Sequence, residues 1–444
     1  MRILQVTPLY FPSPGGAERH VQEVSERLAA RGHAVTVLTT NAGSHRDLLA
    51  GACAGLPARE RLRGVEVVRV DPADDWLSAA LQGWLRLKGG YRSLCALLGR
   101  EGLDLLLTER PRNRHLLVAL LTVRTEVVLS WNWVLAPAYH AELARRLRRF
   151  RLIGVPLFHT EERWARRPIY DGMLRACEGF IVNTAHEAEF IRSRHPGADR
   201  IAVIGPGVAP ERFGRPDAAG FRRRHGLGGG PLVGFVGRLC AEKGVPALLE
   251  AMRRVWAWDP AVRLVLAGHR SVAAGPPEAV LAGLTPAERE RVLFLLDFAE
   301  AEKPDLYAAL DVFVMPSVAE SFGIAYLEAW MCGKPVIGSR VGATSRVIED
   351  GLDGLTVDPR SPADIAHAIH ALLRDPARRA RMGERGRAKA LASFTWEEVA
   401  GRVEAFCADP KAVGRPAAPA EGREHPGAAG RPGRQPLGKA GIPG

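Results

Sequence analysis

A chain of 444 residues that is 47% hydrophobic, 25% charged and 7% aromatic buries ample core in two domains, which excludes a fibrous or wholly disordered protein. No apolar run reaches the ~18 residues of a membrane-spanning helix, and MRILQVTPLYFP reads as a strand stopped by prolines rather than a signal peptide, so a soluble, cytoplasmic protein is expected. The formal charge of +12 is uneven, with 31 basic against 22 acidic residues in 1–215, 24 against 24 in 216–407 and 6 against 3 beyond, so an anionic partner or membrane surface for the first half stands beside a plain arginine bias.

In chain order, the runs RILQVT, HAVTVLTT, VEVVRV, DLLL, EVVLS, RLIGVPLF, GFIVN and IAVI are separated by helical patterns. This alternation predicts parallel strands joined by crossover helices. The stretch Trp76 to Leu98 is amphipathic, and a helix packed on its own domain is expected there rather than one lying on a membrane. ARRLRRFRL, reaching Arg151, fits either a solvated helix face or a surface for anionic groups. A Gly- and Pro-rich break from 205 to 230 predicts a hinge near 205–215, after which PLVGFVG, VRLVLAG, VLFLL, DVFVMP and KPVIGS form a second strand set. The fold class is therefore α/β, with two doubly wound domains: 1–207, 208–391, and a C-terminal helix at 392–407. Seven Pro and eight Gly without an aromatic residue in 408–444 predict a disordered tail. Cys53, Cys95, Cys177, Cys240, Cys332 and Cys407 are scattered, so neither a zinc site nor a disulfide framework is suggested.

Three segments carry chemistry. SPGGAERH follows the first strand, and Gly15 and Gly16 would let amides at a helix start approach a phosphate or sugar, although a plain strand-to-helix turn explains two glycines about as well. VGFVGRLCAEKG puts Arg238 and Lys243 five apart at the carboxyl end of the second domain's first strand, where two cations can neutralise a diphosphate. PSVAESFGIAYLEAWMCG places Glu320 in a turn, Gly323 at a helix start and Glu328 on that helix, roughly 7 Å along by helical rise. Amides at such a start favour an anion, and the two carboxylates can take hydroxyl groups on either side of it.

The E-x7-E pair Glu320 and Glu328, the GG loop, the GRL-x-x-EKG segment and a His after a first-half strand together resemble the retaining nucleotide-sugar glycosyltransferases of family 4. The resemblance covers about residues 1–407 and implies the GT-B architecture, two Rossmann-like domains facing across a cleft, with the acceptor on the first domain, the donor on the second and the C-terminal helix crossing back to the first. It implies that Arg238 and Lys243 contact the donor diphosphate. Glu320 would hold hydroxyls of the transferred sugar, with the amides of Phe322, Gly323 and Ile324 nearby, and Glu328 would bind the ribose. Gly15 and Gly16 would face the sugar and diphosphate, and His159 would stand near the transferring carbon.

The expected reaction is transfer to an acceptor hydroxyl by front-face displacement, with the charge on the leaving phosphate stabilised by Arg238, Lys243 and the Gly323 turn. No D-x-D occurs in the chain, and with these cations available no metal and no cofactor is expected. The partners expected are a nucleoside-diphosphate sugar and a small-molecule, sugar-phosphate or lipid-linked acceptor, with no nucleic acid. Peripheral contact with an anionic inner membrane face stays open. Two departures from the family pattern stand out: Ala209 replaces the usual Asp in GPGVAPERF, and the tryptophans of SWNWVLAP suggest an unusual acceptor pocket. The alternatives are a nucleotide-sugar epimerase, for which only His159 and Glu320 offer acid-base groups, and a non-catalytic nucleotide-sugar-binding scaffold.

Overall fold

The computed structural model describes residues 1–13, 15–72, 114–133, 137–268, 281 and 283–411. The DLLL strand expected at 104–107, the amphipathic stretch 76–98, Cys95 and the tail beyond 411 lie outside the described residues.

The strands are β1 (Arg2–Val6), β2 (Ala34–Thr40), β3 (Arg59–Leu62), β4 (Val65–Val70), β5 (Val127–Trp131), β6 (Arg151–Val155), β7 (Gly179–Val182), β8 (Ile201–Val203), β9 (Leu232–Val236), β10 (Arg263–Gly268), β11 (Val292–Leu296), β12 (Val312–Met315), β13 (Val336–Ser339) and β14 (Gly354–Val357). They build two sheets, ordered β3-β4-β2-β1-β5-β6-β7-β8 and β11-β10-β9-β12-β13-β14. All pairings are parallel except β3–β4, a hairpin on the first sheet's edge. The apolar runs follow from this, since a parallel strand covered on both faces has no polar side to show. β9 is buried along its whole length, for example.

Each sheet has one place where the strand order reverses, between β1 and β5 in the first and between β9 and β12 in the second. The loops leaving the carboxyl ends of two neighbouring strands diverge there and open a crevice. The loop after β1 carries Gly15 and Gly16, that after β9 carries Arg238 and Lys243, and that after β12 carries Glu320.

The first helix, Gly16–Ala30, buries Val21, Val24 and Leu28 against the first sheet. The last one, Trp396–Ala408, packs against the same core through Trp396, Val399, Val403 and Phe406. Its Glu404 accepts from Arg31 at 2.9 Å and lies 2.6 Å from His33 Nε2. Backbone bonds Val208 N–H to Phe394 O at 2.7 Å and Trp396 N–H to Val208 O at 3.1 Å tie the linker to this returning segment. Ala209 caps the short helix Pro210–Phe213 without a side-chain hydrogen bond, the cap an Asp would supply.

One expectation needs correction. Trp131 and Trp133 are 0% and 2% exposed and line no open pocket: Trp131 meets His20 edge-on in the core, and Trp133 packs on Phe158, Tyr170 and Phe180. The large apolar area of an indole makes burial its lowest-energy use here. In ARRLRRFRL, Arg145 pairs with Glu178, Arg146 with Glu142, Arg148 donates to the carbonyls of Leu120 and Val123, and Arg151 donates to that of Ala408. These contacts tie four of the five arginines into the fold, while Arg146 and Arg149 stay exposed to solvent. The five described cysteines are free thiols, and no described helix is long and apolar enough to cross a membrane.

Candidate active site

The site begins with two glycines whose backbones only glycine fits. Gly244 has φ of 79°, and a Cβ there would run into the Pro316 carbonyl, so the turn after Lys243 lies directly against the loop after β12. Gly323 has φ of 94° and would collide with the Tyr326 ring; it is the N-cap of the helix Ile324–Met331. This eight-residue helix is apolar almost all round, as a helix sunk in a core must be, and Glu328 sits on it only 4% exposed. The Tyr326 hydroxyl donates to Met315 O at 2.6 Å and fixes the helix to the end of β12.

With the loops so placed, Lys243 Nζ donates to Glu320 Oε2 at 2.7 Å and to Ala319 O at 3.3 Å. Both side chains are nearly buried, at 8% and 13% exposed. Burial pushes the Glu320 carboxyl up, but Lys243, His159 and the Ser321 N–H together outweigh it and hold it below the usual carboxylate range. Glu320 is therefore an anion at neutral pH, carrying two firm donors.

His159 comes from the first sheet, just past β6, and its Nδ1 lies 3.6 Å from Glu242 Oε1. Glu242 also accepts from Arg238 at 3.3 Å. His159, first, and then Arg238 and Lys243 drive its carboxyl down to about 2 against the opposing effect of burial. Arg238 itself is 44% exposed and open to the crevice. The crevice is narrow at Gly16, where a Cβ would stand 3.5 Å from Ile324 Cδ1. The starts of the two helices Gly16–Ala30 and Ile324–Met331 thus face each other across it. Phe322 is buried against Phe394, which leaves its backbone as the part available to a ligand.

Glu328 is engaged by both halves of the molecule. Arg19 Nη1 donates to its Oε1 at 3.2 Å, Tyr307 donates to its Oε2 at 2.9 Å, and Lys303 Nζ stands 3.7 Å from Oε1. Sequence reasoning named Glu328 but missed Arg19, Tyr307 and Glu242. Glu242 carried a signal, four residues past Arg238 and next to Lys243; nothing in the sequence marks Arg19 or Tyr307. Also missed was Glu18, 5% exposed, whose carboxyl folds back beside Gly15. Burial pushes it up to about 7, against the pull of its own backbone N–H and of Arg238.

Two parallel α/β sheets whose loops bearing Gly15, Gly16, Arg238, Lys243 and Glu320 meet at a crevice give the architecture of the GT-B glycosyltransferases. Residues 15–207 match the model of the glycosyl transferase 4-like domain and residues 219–389 that of glycosyl transferases group 1. The D-inositol 3-phosphate glycosyltransferase of Geodermatophilus obscurus is 32% identical over 97% of this chain and 92% of its own. That of Stackebrandtia nassauensis is 31% identical over 89% and 88%. The chain belongs to glycosyltransferase family 4. Among solved structures, sucrose-phosphate synthase from Thermosynechococcus elongatus superposes with a TM-score of 0.69 at 21% identity, covering 91% of this chain and 98% of that one. Anabaena Alr3699/HepE in complex with UDP and glucose gives 0.67 at 20%, covering 92% and 99%.

Proposed function

We propose that this glycosyltransferase takes a sugar from a nucleoside-diphosphate donor and transfers it to an acceptor hydroxyl with retention of configuration, without a metal ion. The observation that carries the reading is the buried Lys243–Glu320 pair at 2.7 Å, set beside Arg238 and the helix start at Gly323. Cations and backbone amides at that point favour a diphosphate, and an ionised, oriented carboxylate accepts sugar hydroxyls. A structural neighbour, Alr3699/HepE, binds UDP and glucose, which makes UDP the first nucleotide to try. The relatives named for D-inositol 3-phosphate make a phosphorylated polyol the first acceptor class.

In a front-face displacement the bond between the anomeric carbon and the phosphate oxygen breaks as the acceptor oxygen approaches from the same side. The acceptor proton passes to the departing phosphate, so the hydroxyl needs no separate base. Arg238, Lys243 and the amides around Gly323 stabilise the negative charge that grows on the leaving group. His159, bridged to the second half through Glu242, stands where the first half would present the acceptor. Closure of the two halves would exclude water from the anomeric centre.

The test is ¹H NMR of the product formed from UDP-glucose and D-inositol 3-phosphate, with related donor and acceptor pairs run in parallel, each with and without EDTA. An α-linked product from an α-donor, formed equally well with EDTA, is expected. A β-linked product removes retention, and loss of turnover with EDTA removes metal independence.

A further inference from the structure

The loop carrying His159 does not hold itself. After β6 the chain passes Pro156 and then Leu157, whose φ of 56° is a left-handed conformation that a leucine keeps only where its surroundings impose it. The next residue, Phe158, donates its N–H to Glu187 Oε1 at 2.8 Å, while the Asn183 N–H donates to Glu187 Oε2 at 2.9 Å. Glu187 is 1% exposed.

Thr184-x-x-Glu187 has the spacing of a capping box, in which the glutamate returns to the cap residue's own N–H. Half of that box is present, since Thr184 Oγ1 accepts from the Glu187 N–H at 3.3 Å. The carboxylate, however, goes to Asn183 and across to Phe158. On the far side of His159, Thr160 Oγ1 lies 2.7 Å from His186 Nε2. Two consecutive residues in the first turn of the helix Ala185–Arg194 therefore grip residues 158 and 160, with His159 between them. Burial pushes the Glu187 carboxyl up to about 7 even with two backbone donors, a cost that a helix cap alone does not require.

We propose that Glu187 is a positioning residue for His159, fixing the loop backbone so that the imidazole meets Glu242 across the crevice. Its effect on turnover rests on the reading of His159 given above; its effect on where the imidazole sits does not.

The experiment uses the full chain and four proteins: wild type, Glu187→Gln, His159→Ala and the double variant. In the ¹H–¹³C spectrum the His159 Cε1–H signal is assigned by its loss in His159→Ala. In folded Glu187→Gln it is expected to shift, while the signals of His225 and His370 stay in place. An unmoved His159 signal overturns the proposal. In turnover, Glu187→Gln should lower kcat by roughly 10- to 100-fold with the donor KM within about twofold, as for a misplaced active-site group, and should add nothing in the His159→Ala background. Equal losses in both backgrounds overturn the proposal as well, because a merely structural role adds. If His159→Ala alone leaves kcat unchanged, the reading of His159 fails, and the spectrum still decides whether Glu187 places the loop. Glu187→Asp, too short to reach both N–H groups, replaces Glu187→Gln in each arm if the latter does not fold.

Discussion

Arg19 Nη1 lies 3.2 Å from Glu328 Oε1, joining the first helix of one sheet to a buried carboxylate beside the other. If Glu328 takes the ribose of the donor, Arg19 competes with that ribose for the same oxygen. Arg19→Ala is expected to tighten nucleoside diphosphate binding a few-fold by calorimetry, and to lower the unfolding free energy by about 1–3 kcal/mol because a hydrogen bond to a buried charge is lost. Weaker nucleotide binding by the folded variant would mean that Arg19 holds the ligand rather than competing with it.

The Lys243–Glu320 pair makes a prediction about stability and activity together. Lys243→Ala leaves a buried carboxylate without its cation and should cost about 3–5 kcal/mol. Adding Glu320→Gln removes the stranded charge, so the double variant should recover much of the loss in a urea titration. Activity should stay absent in both. A double variant that also regains turnover would show that the pair is scaffolding rather than chemistry.

Glu18 gives a pH signature. Its carboxyl is raised to about 7 in the fold from 4.5, so between those values the folded state holds a proton that the unfolded state has released, and stability falls as pH rises through that window. Glu18→Gln cannot ionise. Its melting temperature should match wild type below pH 4.5, exceed it increasingly up to about pH 7 and keep a constant margin above that. A constant offset at every pH would place the effect outside ionisation.

Glu242 titrates in the opposite sense. Its interaction with His159, followed by those with Arg238 and Lys243, holds it near 2 instead of 4.5, so its contribution is present above pH 4.5 and is lost as pH falls towards 2. Glu242→Gln should flatten the acid limb of the stability curve between those values. An acid limb identical to wild type would contradict the contact.

Most of the fold was legible because parallel strands write their burial into the sequence as unbroken apolar runs. Twelve of the fourteen strands coincide with such a run. The exceptions have plain physical causes. β3 is RERL, an edge strand with one neighbour, in which Arg59 and Arg61 are exposed and Glu60 pairs with Arg69. β14 is GLTV, in which a threonine separates the only two apolar side chains and leaves no run to read. The loops bearing Arg238, Lys243 and Glu320 could be placed in advance, since each follows a recognisable strand and ends at a glycine. Arg19, Tyr307 and Glu187 could not: each is ordinary in its own helix and acquires its partner only when distant segments meet. The tryptophans of SWNWVLAP misled for the complementary reason, because an aromatic near a site and one packed behind it look alike in sequence.

The central claim is that the crevice around Lys243 and Glu320 holds a nucleoside diphosphate. Titration calorimetry of UDP, GDP, ADP and dTDP against wild type and folded Lys243→Ala tests it most directly. One nucleotide should bind wild type with EDTA present and lose at least about tenfold in affinity in the variant, the equivalent of ~1.4 kcal/mol. No binding by any of the four, or binding that Lys243→Ala leaves unchanged, would contradict the account.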